Sequence, residues 1–261
     1  MSDVARRTEL ILQELRQHGR VSAETLSKQL TVNSSTIRRD LEKLERQNLL
    51  RRIHGGAVPV DTLSYSAYQN DLTFQKNMVE LLDEKTRIAQ AALSLLQSGD
   101  TIALSPGTTT TILARGIRYA QLQNLTVVTN ALNIAMELNG VPGINLTVAG
   151  GILLPDFFAL VGPLAEQSLS QMYVSKAFIG VNGLHPEHGL TSPNQLEALT
   201  HRVTLQRAQC TIVLADHTKL GRVSLHSIAP ISAMHTLITD TDAPCDLLAD
   251  LKNQGIDVQA V

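Results

Sequence analysis

The sequence predicts an α/β chain in two parts: a small three-helix head closed by a β-wing, and a larger domain built on a mainly parallel sheet. Three features carry that expectation. Apolar residues at helical spacing fill the first 58 residues and end in a Gly-Gly turn. Near-continuous apolar runs alternate with helical segments from residue 100 onward. The charge also divides unequally: residues 1–58 hold eleven Lys/Arg against seven Asp/Glu, and the rest of the chain eleven against seventeen. A basic head on an acidic body predicts that the head meets a polyanion and the body does not.

The bulk properties narrow the class. A chain of 261 residues is long enough for two ordinary domains, and a hydrophobic share of 43% excludes a disordered one. No apolar run reaches 18 residues, so no membrane span or membrane partner is expected. "MSDVARRTEL" lacks the apolar core of a secretory signal, which predicts a cytoplasmic location. Cys210, in "AQCTIVLAD", reads as part of a buried strand and Cys245 as a loop residue after a proline; without a CxxC partner, both are expected to be inert.

In the head, "RTELILQELRQHG" sets Leu10, Ile11 and Leu15 on one face and stops at Gly19. "VSAETLSKQL" starts with Ser22 as N-cap, with Val21 stapled onto Leu26. Asn33 caps a third helix in which Ile37, Leu41 and Leu44 recur at i, i+4 and i+7. Ser35, Arg39, Glu42, Lys43 and Arg46 then lie on or near the opposite side, with Thr36 and Arg38 on its flanks. Only three or four residues separate the second and third helices, the spacing of a helix-turn-helix. Its outward hydroxyls and guanidiniums suit a major groove, where arginine binds guanine edges bidentately. "LLRRIHGGAV" reads as a wing, with Ile53 and Val58 inward, Gly55-Gly56 at the turn, and Arg51, Arg52 and His54 set to touch the nucleic-acid backbone.

The pattern loosens after Pro59, and the domain boundary is placed near 59–70. The head is taken as 1–58, a linker as 59–82 and the body as 83–261. "TFQKNMVELLDEKTRIAQAALSLLQSGD" becomes helical, with Ile88, Ala92, Leu95 and Leu96 along one side.

In the body, "TIAL", "LTVVT", "INLTVAG", "KAFIGV", "TIVLAD", "HTLITD" and "IDVQAV" read as strands. Ligands of such sheets bind beyond the carboxyl ends of the strands. There lie "SPGTTTT" (105–111), "TNALN" (129–133), "AGGIL" (149–153), "VNGLHPEHGLTSPNQLEA" (181–198) and "ADHTKLG" (215–221). "SPGTTTT" offers backbone amides, hydroxyls and a helix start, a combination that favours an anion such as phosphate. It lacks the spacing and lysine of a P-loop, and no GxGxxG occurs, so neither a nucleoside triphosphate nor a dinucleotide cofactor is expected. Lys219 can supply positive charge; Asn130, Asn182, Asp216 and Glu197 can bind hydroxyls. "HPEH" (185–188) has no third ligand in view and reads as a solvated loop, so no metal is expected.

"TIRRDLEKLERQNLLRRIHGGAV", "EKTRIAQAALSLLQSGDTIALSPGTTT", "VVTNALNIAMEL", "FIGVNGL…GLTSPNQLEA" and "LADHTKLG", in that order, resemble the DeoR-type bacterial transcriptional regulators over most of the chain. The resemblance implies a repressor of sugar or polyol catabolism. Its body would resemble ribose-phosphate isomerase and bind a phosphorylated sugar as effector. Carried across by position, the phosphate loop is Gly107, Thr108, Thr109 and Thr110. The other implied effector contacts are Asn130, Gly150, Gly151, Asn182, Gly183, Glu197, Arg202, Asp216 and Lys219. The implied contacts to double-stranded operator DNA are Ser35, Thr36, Arg38, Arg39, Arg51, Arg52 and His54, and Lys43 joins them from the exposed face of the helix. This chain departs from the family pattern in having Ser105-Pro106 where Asp-Ser is common, Asn182 where aspartate is frequent and His201 where lysine is. A homo-oligomer, dimer or tetramer, would set two recognition helices in successive major grooves. No catalysis is expected. The alternative is a sugar-phosphate isomerase-like enzyme with an appended DNA-binding head, against which the missing carboxylate at 182 argues, since proton transfer at a sugar carbon needs a positioned base.

Overall fold

The computed structural model of the chain describes residues 7–8, 10–12, 14–15, 20–46, 50–53, 55–59 and 72–261. It divides into two compact units, Met1–Gln69 and Asn70–Val261. Among the described residues no helix is long and apolar enough to cross a membrane.

In the first unit Ile11 and Leu15 are buried, but Leu10, expected on the same face, is exposed. It sits about 100° around the helix from the stripe that Ile11 and Leu15 share. A short strand, β1 (Val21–Ser22), runs into α1 (Ala23–Gln29), where Ser22 Oγ accepts the Glu24 and Thr25 amides at 3.2 and 3.4 Å, as a cap should. Helix α2 (Ser34–Arg46) starts after Asn33, whose carbonyl accepts from Thr36 and Ile37. Ile37, Leu41 and Leu44 join Ile11, Leu15, Val21, Leu26 and Leu50 in one core.

Strands β2 (Leu50–Ile53) and β3 (Gly56–Pro59) pair antiparallel as the wing, and β1 pairs with the far side of β3. Ile53 is exposed rather than inward, and Val58 is half-buried. Alternation along β2 puts Ile53 on the face of Arg51, so Leu50 and Ala57 supply the wing's buried side chains. The helix stop at Gly19 and the contact expected of His54 lie outside the described residues, as does the side chain of Arg46.

The second unit opens with α3 (Leu72–Val79) and α4 (Leu82–Ser94). The stretch expected to be linker up to residue 82 thus contributes a helix to this unit. Then come β4 (Thr101–Leu104), α5 (Thr108–Tyr119), β5 (Leu125–Thr129), α6 (Leu132–Leu138) and β6 (Ile144–Val148). A hairpin of β7 (Ile152–Leu154) and β8 (Ala159–Val161) and helix α7 (Pro163–Ser170) precede β9 (Val174–Gly180). A second hairpin, β10 (Gly183–His185) and β11 (Gly189–Ser192), leads to α8 (Gln195–Gln206), β12 (Ala208–Leu214) and β13 (His226–Ala229). The unit ends with β14 (Thr236–Thr239), α9 (Cys245–Asn253) and β15 (Asp257–Ala260). Cys245 therefore starts a helix instead of sitting in a loop, and Cys210 is half-buried in β12.

Seven strands form one parallel sheet in the order β15-β14-β12-β9-β4-β5-β6. Successive residues of β9 feed different cores: Phe178 packs with Ile88, Leu113 and Ile117, whereas Ala177 and Ile179 pack with Leu205, Val213 and Leu251. The inner strands are covered on both faces, which is why they read as apolar runs. The chain leaves β4 outward through β5 and β6, then returns to β9 and winds the other way. The strand order reverses between β4 and β9, and a crevice opens beyond their carboxyl ends.

A Cβ on Gly56 would lie 1.9 Å from the Val21 carbonyl oxygen, so β1 and the wing approach only because that side chain is hydrogen. Gly56→Ala is expected to destabilise the head by about 1–3 kcal/mol in urea unfolding followed by head-specific probes, and a neutral effect would contradict this packing.

Candidate functional site

A pocket occupies the β4–β9 crevice. Its walls are Pro106, Gly107, Thr108 and Thr109 after β4; Gly180, Val181 and Asn182 at the end of β9; and Leu214, Ala215, Asp216 and Lys219 at the end of β12. Phe74 and Asn77 of α3, Lys85 of α4, Glu197 of α8, and Asp156 and Phe157 complete it. Ser105 ties two of these walls together: its Oγ accepts the Gly180 amide at 2.9 Å.

The threonine run folds back on its own start. Thr110 and Thr111 donate their hydroxyls to the Gly107 carbonyl at 3.0 and 2.6 Å, and no side chain caps α5. The first-turn amides are left for a ligand, at the positive end of the helix dipole. Across the pocket Glu197 is buried, accepts the Ser192 hydroxyl and donates its amide to Asn194 Oδ1 at 3.1 Å. The third wall is braced from below. Buried Asp240 accepts the His217 amide at 2.7 Å, lies 2.8 Å from His217 Nδ1 and accepts the Asp242 amide at 3.1 Å, while Asp216 accepts the Thr218 amide at 3.1 Å. Burial pushes the Asp240 carboxyl up, but the His217 and Asp242 hydrogen bonds outweigh it and hold it below its ordinary value.

Lys85 is only 4% exposed, and its Nζ donates to the carbonyls of Asn77 and Glu80 at 2.6 and 2.7 Å. Burial lowers its pKa and Lys219 adds to that, with Asp216, Glu80 and Glu84 opposing. His201, one turn beyond Glu197, is buried with no partner for either ring nitrogen among the described residues. Burial pulls its imidazole below the ordinary range against the pull of Glu197, so it is neutral near pH 7 and adds no cation there.

Seven of the thirteen expected effector residues meet at this pocket: Gly107, Thr108, Thr109, Asn182, Glu197, Asp216 and Lys219. The others sit elsewhere. Thr110 bonds Gly107, and Asn130 donates to the Leu160 carbonyl at 3.0 Å. Gly150 and Gly151 are exposed before β7; Gly183 packs in β10 against Thr191. Arg202 ties α8 to β13 through the carbonyls of Ile228 and Ser227, at 2.9 and 2.8 Å. Sequence reasoning missed Lys85, Phe74, Asn77, Asp156 and Phe157. For Lys85 a signal existed: it lies in register with Ile88, Ala89 and Ala92 on the buried stripe of α4, where a solvated lysine does not belong. At the β10–β11 turn, His185, Glu187 and His188 bring ligand atoms within 4.8 Å of one another, so a third group does accompany the histidines.

On the head, Ser35, Arg38, Arg39 and Lys43 are exposed along α2, Thr36 is half-buried, and Arg51 and Arg52 are exposed on β2. Two contacts fix this surface. Arg7 Nε and Nη2 reach Asp40 Oδ2 and Oδ1 at 2.5 and 3.3 Å, anchoring α2 from the first helix. The Arg52 amide donates to Glu45 Oε1 at 2.8 Å, anchoring the wing to α2.

Residues 7–62 match the DeoR-like helix-turn-helix domain, and residues 80–241 match the DeoR C terminal sensor domain. The chain belongs to the DeoR family of transcriptional regulators. The HTH-type transcriptional regulator YulB of Bacillus subtilis (strain 168) is 33% identical over 258 residues, covering 99% of this chain and 97% of that one. The transcriptional repressor GlcR of the same organism is 35% identical over 241 residues, covering 91% and 90%. A lactose phosphotransferase system repressor of Staphylococcus epidermidis is 32% identical over 239 residues, covering 90% and 92%. This DeoR-family regulator binds DNA through its head, and its sensor domain follows in the sequence.

The Asp240 brace makes a pH-dependent prediction. Because its folded pKa is depressed below the usual 3.8, its stabilisation is present above that value and is lost as pH falls through the folded pKa. Asp240→Asn should cost about 1–3 kcal/mol at neutral pH, and the gap from the native chain should close in acid below the ordinary carboxylate range. A gap that is constant with pH in thermal unfolding would contradict the assignment.

Proposed function

We propose that this regulator represses a sugar or polyol catabolic operon and that a phosphorylated sugar in the pocket sets its affinity for operator DNA. One juxtaposition carries this reading: the uncapped amides of α5 stand in the same crevice as the cations Lys85 and Lys219, with Glu197, Asp216 and Asn182 alongside. The amides and cations suit a phosphate dianion, the carboxylates and amide suit sugar hydroxyls, and Phe74 and Phe157 suit the apolar side of a short carbon chain. The lactose phosphotransferase system repressor, named for a sugar system, supports the assignment to carbohydrate metabolism. A dimer or tetramer would present paired heads to a palindromic operator.

We propose further that the body senses its ligand without converting it. Isomerisation needs a base free to take a carbon-bound proton. Position 182 offers an amide, and Glu197 already accepts the Ser192 hydroxyl.

On the DNA side, Ser35, Thr36, Arg38, Arg39 and Lys43 read or flank the major groove, and Arg51 and Arg52 hold backbone phosphates. Arg38→Ala or Arg39→Ala should remove operator selectivity in a footprint while the body keeps its fold; retained selectivity would displace the recognition helix. Arg51→Ala should weaken binding to all duplexes and reduce the salt slope by about one unit, whereas an unchanged slope would remove the wing from the interface.

Thermal shift against a panel of aldose and ketose phosphates tests the pocket. A ligand at about 100 times its Kd adds about 2.7 kcal/mol of apparent stability. Thr109→Val should lose that shift and keep operator binding. A panel without a single binder, or an undiminished shift in the variant, would overturn the assignment.

A further inference from the structure

The Lys85 ammonium belongs to two assemblies at once. It stands in the pocket wall, and two of its protons go to the carbonyls of Asn77 and Glu80. Asn77 lies in the last turn of α3, where carbonyls have no partner within the helix and the dipole presents its negative end. Lys85 therefore caps the end of α3 from across the turn that joins α3 to α4. That turn passes through Leu81 at φ +52, a left-handed conformation that a leucine adopts only under constraint. At the other end of the helix, Phe74 meets Phe158 edge-on, with ring centroids 5.0 Å apart. Phe74 and Asn77 face the same pocket as Lys85. Helix α3 is also the first described element of the second unit, and in sequence it follows directly on the segment that leads from the head.

We propose, resting on the phosphorylated-ligand reading, that Lys85 couples pocket occupancy to α3, so that a bound anion tightens the helix at which the sensor domain's chain begins. An ammonium has three donors. Two serve α3, and the third is available to an anion seated on the α5 amides. Without a ligand, burial and Lys219 weigh against the ammonium, and Asp216, Glu80 and Glu84 offset them only in part. A phosphate shifts that balance toward the charged form, which is the better donor to the α3 carbonyls. Ligand and helix thus support each other through a single charge, and the coupling is reciprocal.

Amide hydrogen exchange on the full chain, with inorganic phosphate as probe, tests this coupling; phosphate binding is followed separately by the width of the phosphorus resonance. In the native chain, phosphate should slow exchange in α3 by about tenfold relative to α9. Lys85→Met should exchange faster in α3 without phosphate and gain no protection from it. Thr109→Val should match the native chain in α3 without phosphate and lose the ligand-induced slowing. A native chain that binds no phosphate overturns the ligand reading, and the coupling falls with it. A native chain that binds phosphate without slowing α3 relative to α9 overturns the coupling alone, as does Lys85→Met showing native-like slowing. The native measurement decides even if Lys85→Met does not fold.

Discussion

The sensor domain depends on charges held at the point where its parallel sheet reverses direction. Lys85, Glu197 and Asp216 are buried at the carboxyl ends of β4, β9 and β12, where isolated charge would be strongly unfavourable. Each is held by named neighbours: Lys85 by two carbonyls, Glu197 by Ser192, and Asp216 by Thr218 above the Asp240 brace. These bonds leave donor and acceptor capacity directed at one crevice. A soluble metabolite carrying both an anion and hydroxyls is the chemistry that such a crevice completes.

The head solves a different problem with the same economy of means. Its apolar core turns the ridge of α2 outward, so Arg38, Arg39 and Lys43 stay solvated while Ile37, Leu41 and Leu44 hold the helix down. Two acidic residues within that basic surface have structural work: Asp40 takes the Arg7 guanidinium and Glu45 takes the wing. Removing them would raise the basic charge and loosen the surface that carries it. Rigid presentation counts here because base-edge readout depends on side chains arriving at fixed angles.

All seven strands of the parallel sheet were legible in the sequence: the five inner ones because strands buried on both faces are apolar throughout, and the edge strands β6 and β15, which have no buried residue, from their place in the alternation with helices. The helix-turn-helix was legible from caps and period. The rest was hidden either by short length or by contacts between residues distant in the chain. The β7–β8 and β10–β11 hairpins are short, and a run of three or four residues carries no period. The stretch from Thr73 was read as helical, but not its break at Leu81 into α3 and α4, nor the contacts of Phe74 with Phe158 and of the α3 carbonyls with Lys85, none of which local pattern encodes. Ile53 is exposed despite its hydrophobicity because alternation along β2 sets it on the face of Arg51. Arg202 looked like a ligand contact by position, yet its guanidinium closes carbonyls between α8 and β13. The Gly107–Thr109 wall of the pocket was readable because a helix start rich in threonine is local in sequence. Lys85 showed its burial through its register with Ile88, Ala89 and Ala92, but not that it meets a loop more than twenty residues away.

Effector control requires that ligand and operator each bind less or more tightly when the other is present, by the same factor. The most direct measurement is therefore the affinity of the sugar phosphate for the protein alone and for the protein saturated with operator duplex, set against operator affinity with and without ligand. The account predicts two equal ratios, each on the order of 5–150-fold. Identical ligand affinity in the free and operator-bound protein would contradict it.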